Sequence, residues 1–279
     1  MGGGMAGLWV GDRPVLRAWD GSDDPFKLGM NLLLPFSNRI SGGFLFNGVE
    51  HVLLPNLPGE PFPIHGDAFD KPWRVRQMAA DNVTLTLADG AFGPFRYRAQ
   101  VHYELSESAF SVRLCLTSLA RMPLPYGLGV HPWFPRTSDT RLEFAARGYW
   151  PETEDHLPAV AQAVDVPLDL NFDIMRALPD DWINAGFSGW SGAARLDQGK
   201  DGVSVDLGAN SFSTAILYSP DAKADFFCFE PVSHPVNAHN LPGQPGLTIL
   251  NTDQSLSGVF RMEWRRPTRA IAASDQTYR

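Results

Sequence analysis

Cysteine is scarce: Cys115 and Cys228 are the only two in 279 residues. Two cysteines cannot build a disulfide framework, and each sits in an apolar run where a free thiol packs as a small hydrophobe. Basic charge is in deficit as well, with 23 Lys and Arg against 31 Asp and Glu and a net charge of −8. Such a surface repels nucleic-acid phosphate and anionic lipid, so neither nucleic acid nor membrane is an expected partner. No run approaches the roughly 18 consecutive apolar residues of a membrane helix. Met1–Val10 has neither a basic segment nor an apolar stretch suited to export, and a cytoplasmic location is the expectation. Helical patterning is missing too, with no apolar stripe longer than about two turns.

Turns and rings are plentiful. Gly and Pro number 26 and 23, and there are 8 Trp, 6 Tyr and 18 Phe. Hydrophobic residues make up 44%, enough for a core and too many for disorder. Period-two alternation recurs along the chain. Tyr97, Ala99, Val101, Tyr103 and Leu105 fall on one face, against Arg98, Gln100, His102 and Glu104 on the other. Phe110, Val112, Leu114 and Leu116 repeat the pattern, and Val83–Leu87, Val203–Leu207, Ala215–Tyr218, Phe226–Phe229 and Leu256–Trp264 read alike. Asn47-Gly48, Asp89-Gly90 and Asp201-Gly202 supply turn chemistry. A short helix is conceivable only at Asp165–Leu178, where Pro167 and Pro179 limit it. The expectation is all-β: one large antiparallel β-sandwich over residues 1–279, with a flexible tail from about residue 267. Nothing in the pattern chooses between a monomer and a weak homodimer.

Of the seven histidines, five have plain explanations. His102 falls on a polar strand face, His51 follows a turn, His156 sits in the acidic run Glu152–Asp155, and His234 and His239 lie in a loop around Pro235. His65 and His131 differ, being set among Gly, Pro and aromatics in Pro63-Ile64-His65-Gly66 and in Tyr126–Phe134. Glycines admit close approach of a ligand, and Trp133 offers a flat apolar face suited to a polyhydroxylated ring. Each histidine taken alone is balanced between a ligand contact and a satisfied core residue. Glu230 follows the aromatic strand Phe226–Phe229; buried, it would become a usable general base, and at a strand end it would simply be solvated. Arg39, isolated among apolar and turn residues, needs either a protein carboxylate or sugar hydroxyls.

Taken together, the segments resemble the aldose 1-epimerase (galactose mutarotase-like) family. PFSNRISGGFLFNG at 35–48, IHG at 64–66, YGLGVHPWF at 126–134, INAGFSGW at 183–190 and FEP at 229–231 occur in the family's order. The resemblance implies a β-supersandwich that opens a cyclic hemiacetal and recloses it on the other face of C1. It implies His131 as general acid at the ring oxygen and Glu230 as base at the C1 hydroxyl. His65 and Arg39 would bind the sugar; stacking of Trp133 on it is read from its flat apolar face and not from the resemblance. No cofactor and no metal are required for such proton transfers, and the implied partner is a small-molecule sugar. Asn184 stands where the family usually has Asp, which puts the identity of the sugar in question; Asp181 is a nearby candidate to compensate. A C6-charged hexose would need cations, for which Lys71, Arg74, Arg76 and Arg136 are candidates. The rival from another class is a non-catalytic carbohydrate-binding domain on the same sandwich. A metal-dependent enzyme using His65, His131 and Glu230 lacks a His-x-His pair, and a glycosidase lacks an evident second carboxylate.

Overall fold

The alternating segments pair into a nine-stranded antiparallel sheet. From edge to edge it runs Arg176–Ala177, Arg141–Phe144, Ala193–Asp197, Val205–Asn210, Ser255–Trp264, Ala109–Ser118, Phe95–Leu105, Asn82–Phe92 and Arg74–Met78. A second, six-stranded antiparallel sheet follows the order Gly148–Trp150, Ile183–Ser188, Thr214–Ser219, Phe226–Val232, Gly129–Pro135 and Met30–Leu33. The computed structural model describes residues 2–264, and the tail expected from residue 267 lies outside them.

The two sheets face each other across one large apolar cluster. Phe144 of the larger sheet meets Phe187 and Phe229 of the smaller, with ring centroids 5.0 and 5.1 Å apart. Edge-to-face geometry of this kind adds about 0.5–1.5 kcal/mol per pair beyond area burial. Phe110, Val112, Leu114 and Leu116 are all buried in this cluster, as their alternation predicts. Tyr97, Ala99, Val101 and Tyr103 are buried likewise, but Leu105, at the strand end, is exposed.

The Asn47-Gly48 signal is a true two-residue hairpin turn: φ is positive at both residues, and it joins Gly43–Phe46 to Val49–Val52. Asp89-Gly90 is not a turn. It sits inside the strand Asn82–Phe92, where the register with Phe95–Leu105 shifts between Leu87 and Gly90. A Cβ at Gly90 would fall 2.3 Å from Cζ of Tyr97, so the missing side chain makes room for a core ring. The stretch 165–178 forms only a 3-10 turn, Leu168–Leu170, and the two-residue strand Arg176–Ala177.

The smaller sheet has two different faces. Val130, Phe134, Phe227, Phe229 and Leu217 point into the main core. Asn31, His131, Trp133, Glu230, Tyr218 and Asn184 occupy alternate positions on the opposite face. A small apolar group, Leu33, Ile216 and Val232, seals one end of that second face.

Candidate active site

Strand register brings the acid/base candidates together. Gly129 pairs with Val232 and Trp133 with Cys228, which sets His131 directly across from Glu230 in the centre of the sheet. Between the paired residues stand Pro132 and Pro231, neither of which can donate a ladder hydrogen bond. His131 Nε2 lies 3.3 Å from Glu230 Oε1. Both residues are buried, and Glu230 Oε2 has no hydrogen-bond partner.

These two groups form the floor of a cavity of about 490 Å³ that is also lined by Arg39, His65, Trp133 and Asn184. The cavity thus collects all six residues singled out in the sequence. A larger open groove of about 1290 Å³ runs beside the Leu8–Leu16 hairpin, but it holds no histidine, and Arg13 there is engaged by the Lys200 carbonyl at 3.0 Å. Among the described residues no group of three or more His, Cys, Asp or Glu is arranged to hold a metal ion.

Burial sets the protonation of the pair. It pushes His131 from 6.5 down to about 3, partly offset by the residue's own backbone and reinforced by Arg17. It raises Glu230 from 4.5 to about 8, with Arg39 pulling the other way. Around pH 6 the pair therefore holds a neutral imidazole beside a protonated carboxyl, one proton between two bases.

His65 is held in a left-handed conformation, φ 61°, facing Asn38 at φ 57°. Its Nδ1 accepts the backbone N–H of Asn38 at 3.0 Å. Burial, with lesser contributions from His131 and Arg39, holds it well below its ordinary pKa. The ring is therefore neutral and carries its hydrogen on Nε2, a donor 5.3 Å, centroid to centroid, from the His131 ring. Non-glycine residues in this region of φ cost about 1–3 kcal/mol each and concentrate at functional sites.

Arg39 takes the protein-carboxylate option. Its Nε and Nη2 donate to Glu60 at 2.9 and 2.8 Å, and this fork fixes the guanidinium at the cavity wall. Trp133 lines the cavity with a largely occupied ring. His131 stacks on it at 4.7 Å and 17°, and the Arg17 guanidinium lies 4.0 Å from its centroid. The half-exposed ring in the cavity is Trp182, next to Tyr218. Trp182 directly precedes the INAGFSGW motif, and that adjacency was the signal that could have found it.

His156, expected in a solvated loop, lines the cavity instead. It stacks on Trp182 at 5.3 Å and binds Glu152 at 2.9 Å. The partner of Asn184 is Glu152, not Asp181: Asn184 Nδ2 donates to Glu152 Oε2 at 2.7 Å. Nothing local in the acidic run distinguishes Glu152, since its role depends on a strand 32 residues away. His51 is buried against Phe44, and His102 is half-buried on Thr84 at 2.9 Å. His234 and His239 are buried, bonded to the carbonyls of Pro235 and Pro125. A Cβ at Gly127 would strike the His234 ring at 2.1 Å, so this motif glycine admits a protein ring, not a ligand. Of the cations considered for a charged C6 group, none lines the cavity. Arg136 binds Ser219 and the Pro179 carbonyl, and Lys71 pairs with Asp67 at 3.5 Å.

Known proteins carry the same fold and pattern. The family model described as aldose 1-epimerase matches residues 1–263. The uncharacterised protein YphB of Escherichia coli K12 is 31% identical over 273 residues, covering 94% of this chain and 93% of its own. A solved structure from the same organism, a candidate aldose 1-epimerase, superposes with a TM-score of 0.90 at 29% identity, covering 95% and 94% of the two chains. A galactose mutarotase-like protein of Clostridium acetobutylicum shares the fold at 17% identity, with a TM-score of 0.81 and coverage of 96% and 90%. On sequence and architecture together, the chain belongs to the aldose 1-epimerase family.

Proposed function

We propose that the protein is a mutarotase that interconverts the α and β anomers of an aldohexose by acid/base ring opening. The observation that carries this reading is the contact of His131 Nε2 with Glu230 Oε1 at 3.3 Å on the floor of a sugar-sized cavity. Opening the hemiacetal requires a proton at the ring oxygen and loss of one from the C1 hydroxyl. Both oxygens sit on one carbon, so the acid and the base that serve them must be neighbours.

Burial by the protein leaves the shared proton on Glu230. Sugar hydroxyls donating to the carboxylate compensate its desolvation and shift the proton to His131, which becomes the acid at the ring oxygen. Glu230 then takes the C1 hydroxyl proton. Rotation about the C1–C2 bond of the open aldehyde presents its other face, and the same two transfers in reverse close the ring. His65 Nε2–H, positioned by Asn38, donates near the ring oxygen, and Arg39, fixed by Glu60, orients the hydroxyls. Trp133 serves mainly as a platform for His131, and Trp182 supplies the accessible aromatic face. Among the described residues no Lys or Arg other than Arg39 lines the cavity, which favours an uncharged hexose.

The test is polarimetry or NMR of freshly dissolved α-sugars, with glucose, galactose and C6-charged hexoses in the panel. Acceleration over the spontaneous rate is expected for a neutral sugar and lost in Glu230→Gln and His131→Asn. Sugar binding without acceleration would identify a binding protein and sink the reading.

A further inference from the structure

Glu152 stands behind the cavity wall, and three wall side chains converge on its carboxylate. Trp182 Nε1 donates to Oε1 at 2.7 Å, Asn184 Nδ2 to Oε2 at 2.7 Å, and His156 Nδ1 meets Oε2 at 2.9 Å. All three residues line the cavity, and they come from two separate segments of chain. We propose that Glu152 is a positioning residue for specificity: it turns Asn184 and His156 so that each presents a hydrogen-bond acceptor to the sugar. The inference rests on reading this cavity as the sugar site.

The argument is one of donor and acceptor capacity. A carboxylate only accepts, so the side chains that touch it must spend donors on it. Asn184 spends one of its two amide N–H donors on Glu152 and keeps Oδ1 as its acceptor. His156 directs Nδ1–H at the carboxylate, and in that tautomer Nε2 is left as an acceptor. Stacking on Trp182 fixes the plane of that imidazole. Asn184 thus offers the sugar an acceptor without a charge of its own, and the negative charge stands one step back on Glu152. The acceptors on this wall suit hydroxyl donors, and a phosphoryl or sulfonate group, which only accepts, gains nothing from them.

The experiment compares Glu152→Gln, Asn184→Asp and the double variant, using the neutral hexose that the wild type turns over best. Glu152→Gln retains shape but brings an amide NH₂ toward donors; KM should rise about fivefold or more while kcat stays within about threefold, the pattern of lost substrate binding. Asn184→Asp sets two carboxylates against each other and should raise KM similarly. The double variant re-forms one amide–carboxylate bond with the partners exchanged, and KM should return to within about threefold of wild type. Nitrogen-15 NMR of His156 should show the Nδ1–H tautomer in the wild type and a mixture in Glu152→Gln. An unchanged KM in Glu152→Gln, a double variant no better than the single ones, or an unmoved tautomer ratio would each overturn the assignment. The tautomer readout needs no turnover. A wild type that fails to accelerate any anomerisation, yet shows the tautomer shift, would remove the mutarotase reading while supporting Glu152 as the group that orients this wall.

Discussion

His65 accepts the backbone N–H of Asn38 through Nδ1, and this single bond decides which end of the ring faces the cavity. A backbone amide can only donate, so the hydrogen of the neutral ring resides on Nε2. The bond depends on two residues in left-handed conformations, neither of them glycine.

A first prediction follows for His65→Asn. The shorter side chain loses the Nε2–H donor beside His131, and a hydrogen bond to a group developing charge contributes about 1.5–3 kcal/mol. The expected loss in kcat/KM is about ten- to a hundredfold, measured by polarimetry on the preferred sugar. A loss below about twofold would mean that His65 serves only to hold Asn38 in place.

The proposed acid/base pair should set the pH profile. On that mechanism the competent state carries one proton on the His131–Glu230 pair. A second proton silences it at low pH, as His131 titrates about 3, and loss of the proton silences it at high pH, as Glu230 titrates about 8. Enzymatic anomerisation, corrected for the spontaneous rate, should form a broad bell with its alkaline limb near 8. Arg39 lowers the pKa of Glu230, so Arg39→Gln should carry that limb to higher pH as well as raise KM. A limb that stays in place, or moves down, would show that another group controls it.

Glu230 also costs stability. Its carboxyl is held at about 8 in the fold and has an ordinary value of 4.5 in the unfolded chain. Between those values the folded protein binds the extra proton, so stability falls as pH rises through this window. Glu230→Gln keeps the shape and abolishes the titration. Its melting temperature should therefore exceed that of the wild type at pH 9 by several degrees and converge with it near pH 4.5, while activity is lost at every pH. Calorimetry at the two pH values gives the comparison, and a variant less stable at pH 9 would contradict the buried, partnerless state of Oε2.

Legibility in the sequence tracked locality. Phe110–Leu116 announced a buried strand through its own alternation, and the Asn47-Gly48 turn through its own chemistry. The six candidate residues that line the cavity could be singled out because each sits inside a short motif of Gly, Pro or aromatics. Their assembly was not, since the register that faces His131 with Glu230 joins strands about a hundred residues apart. Glu152 and His156 were hidden by their acidic neighbours, and their place at the cavity depends on Asn184 and Trp182 across a sheet edge. Asp89-Gly90 misled for a tertiary reason: the ring of Tyr97 needed the space of a side chain, and a bulge took the place of a turn.

Buried histidines supply the last prediction. His65, His131, His234 and His239 all have folded pKa values below the ordinary 6.5, with burial as the main cause, and His234 and His239 are pushed to about 4 and about 3. For a histidine kept neutral in the fold, stability is fully present above the unfolded value and is lost as pH falls toward the folded one. Four such groups outweigh the single opposing contribution of Glu230 below pH 6.5. Stability should therefore peak near 6.5, and the urea midpoint should drop steeply between pH 6 and pH 4. His239 permits a specific check away from the cavity, because its ring sits among Phe36, Phe44 and Phe95 with centroids 5.8, 4.9 and 5.9 Å away. His239→Phe gives up the bond to the Pro125 carbonyl, at a cost of about 1 kcal/mol at neutral pH. It should flatten the acid limb by one proton, or about 1.4 kcal/mol per pH unit, and leave the pH profile of anomerisation unchanged. An acid limb as steep as that of the wild type would mean that His239 is already charged in the fold.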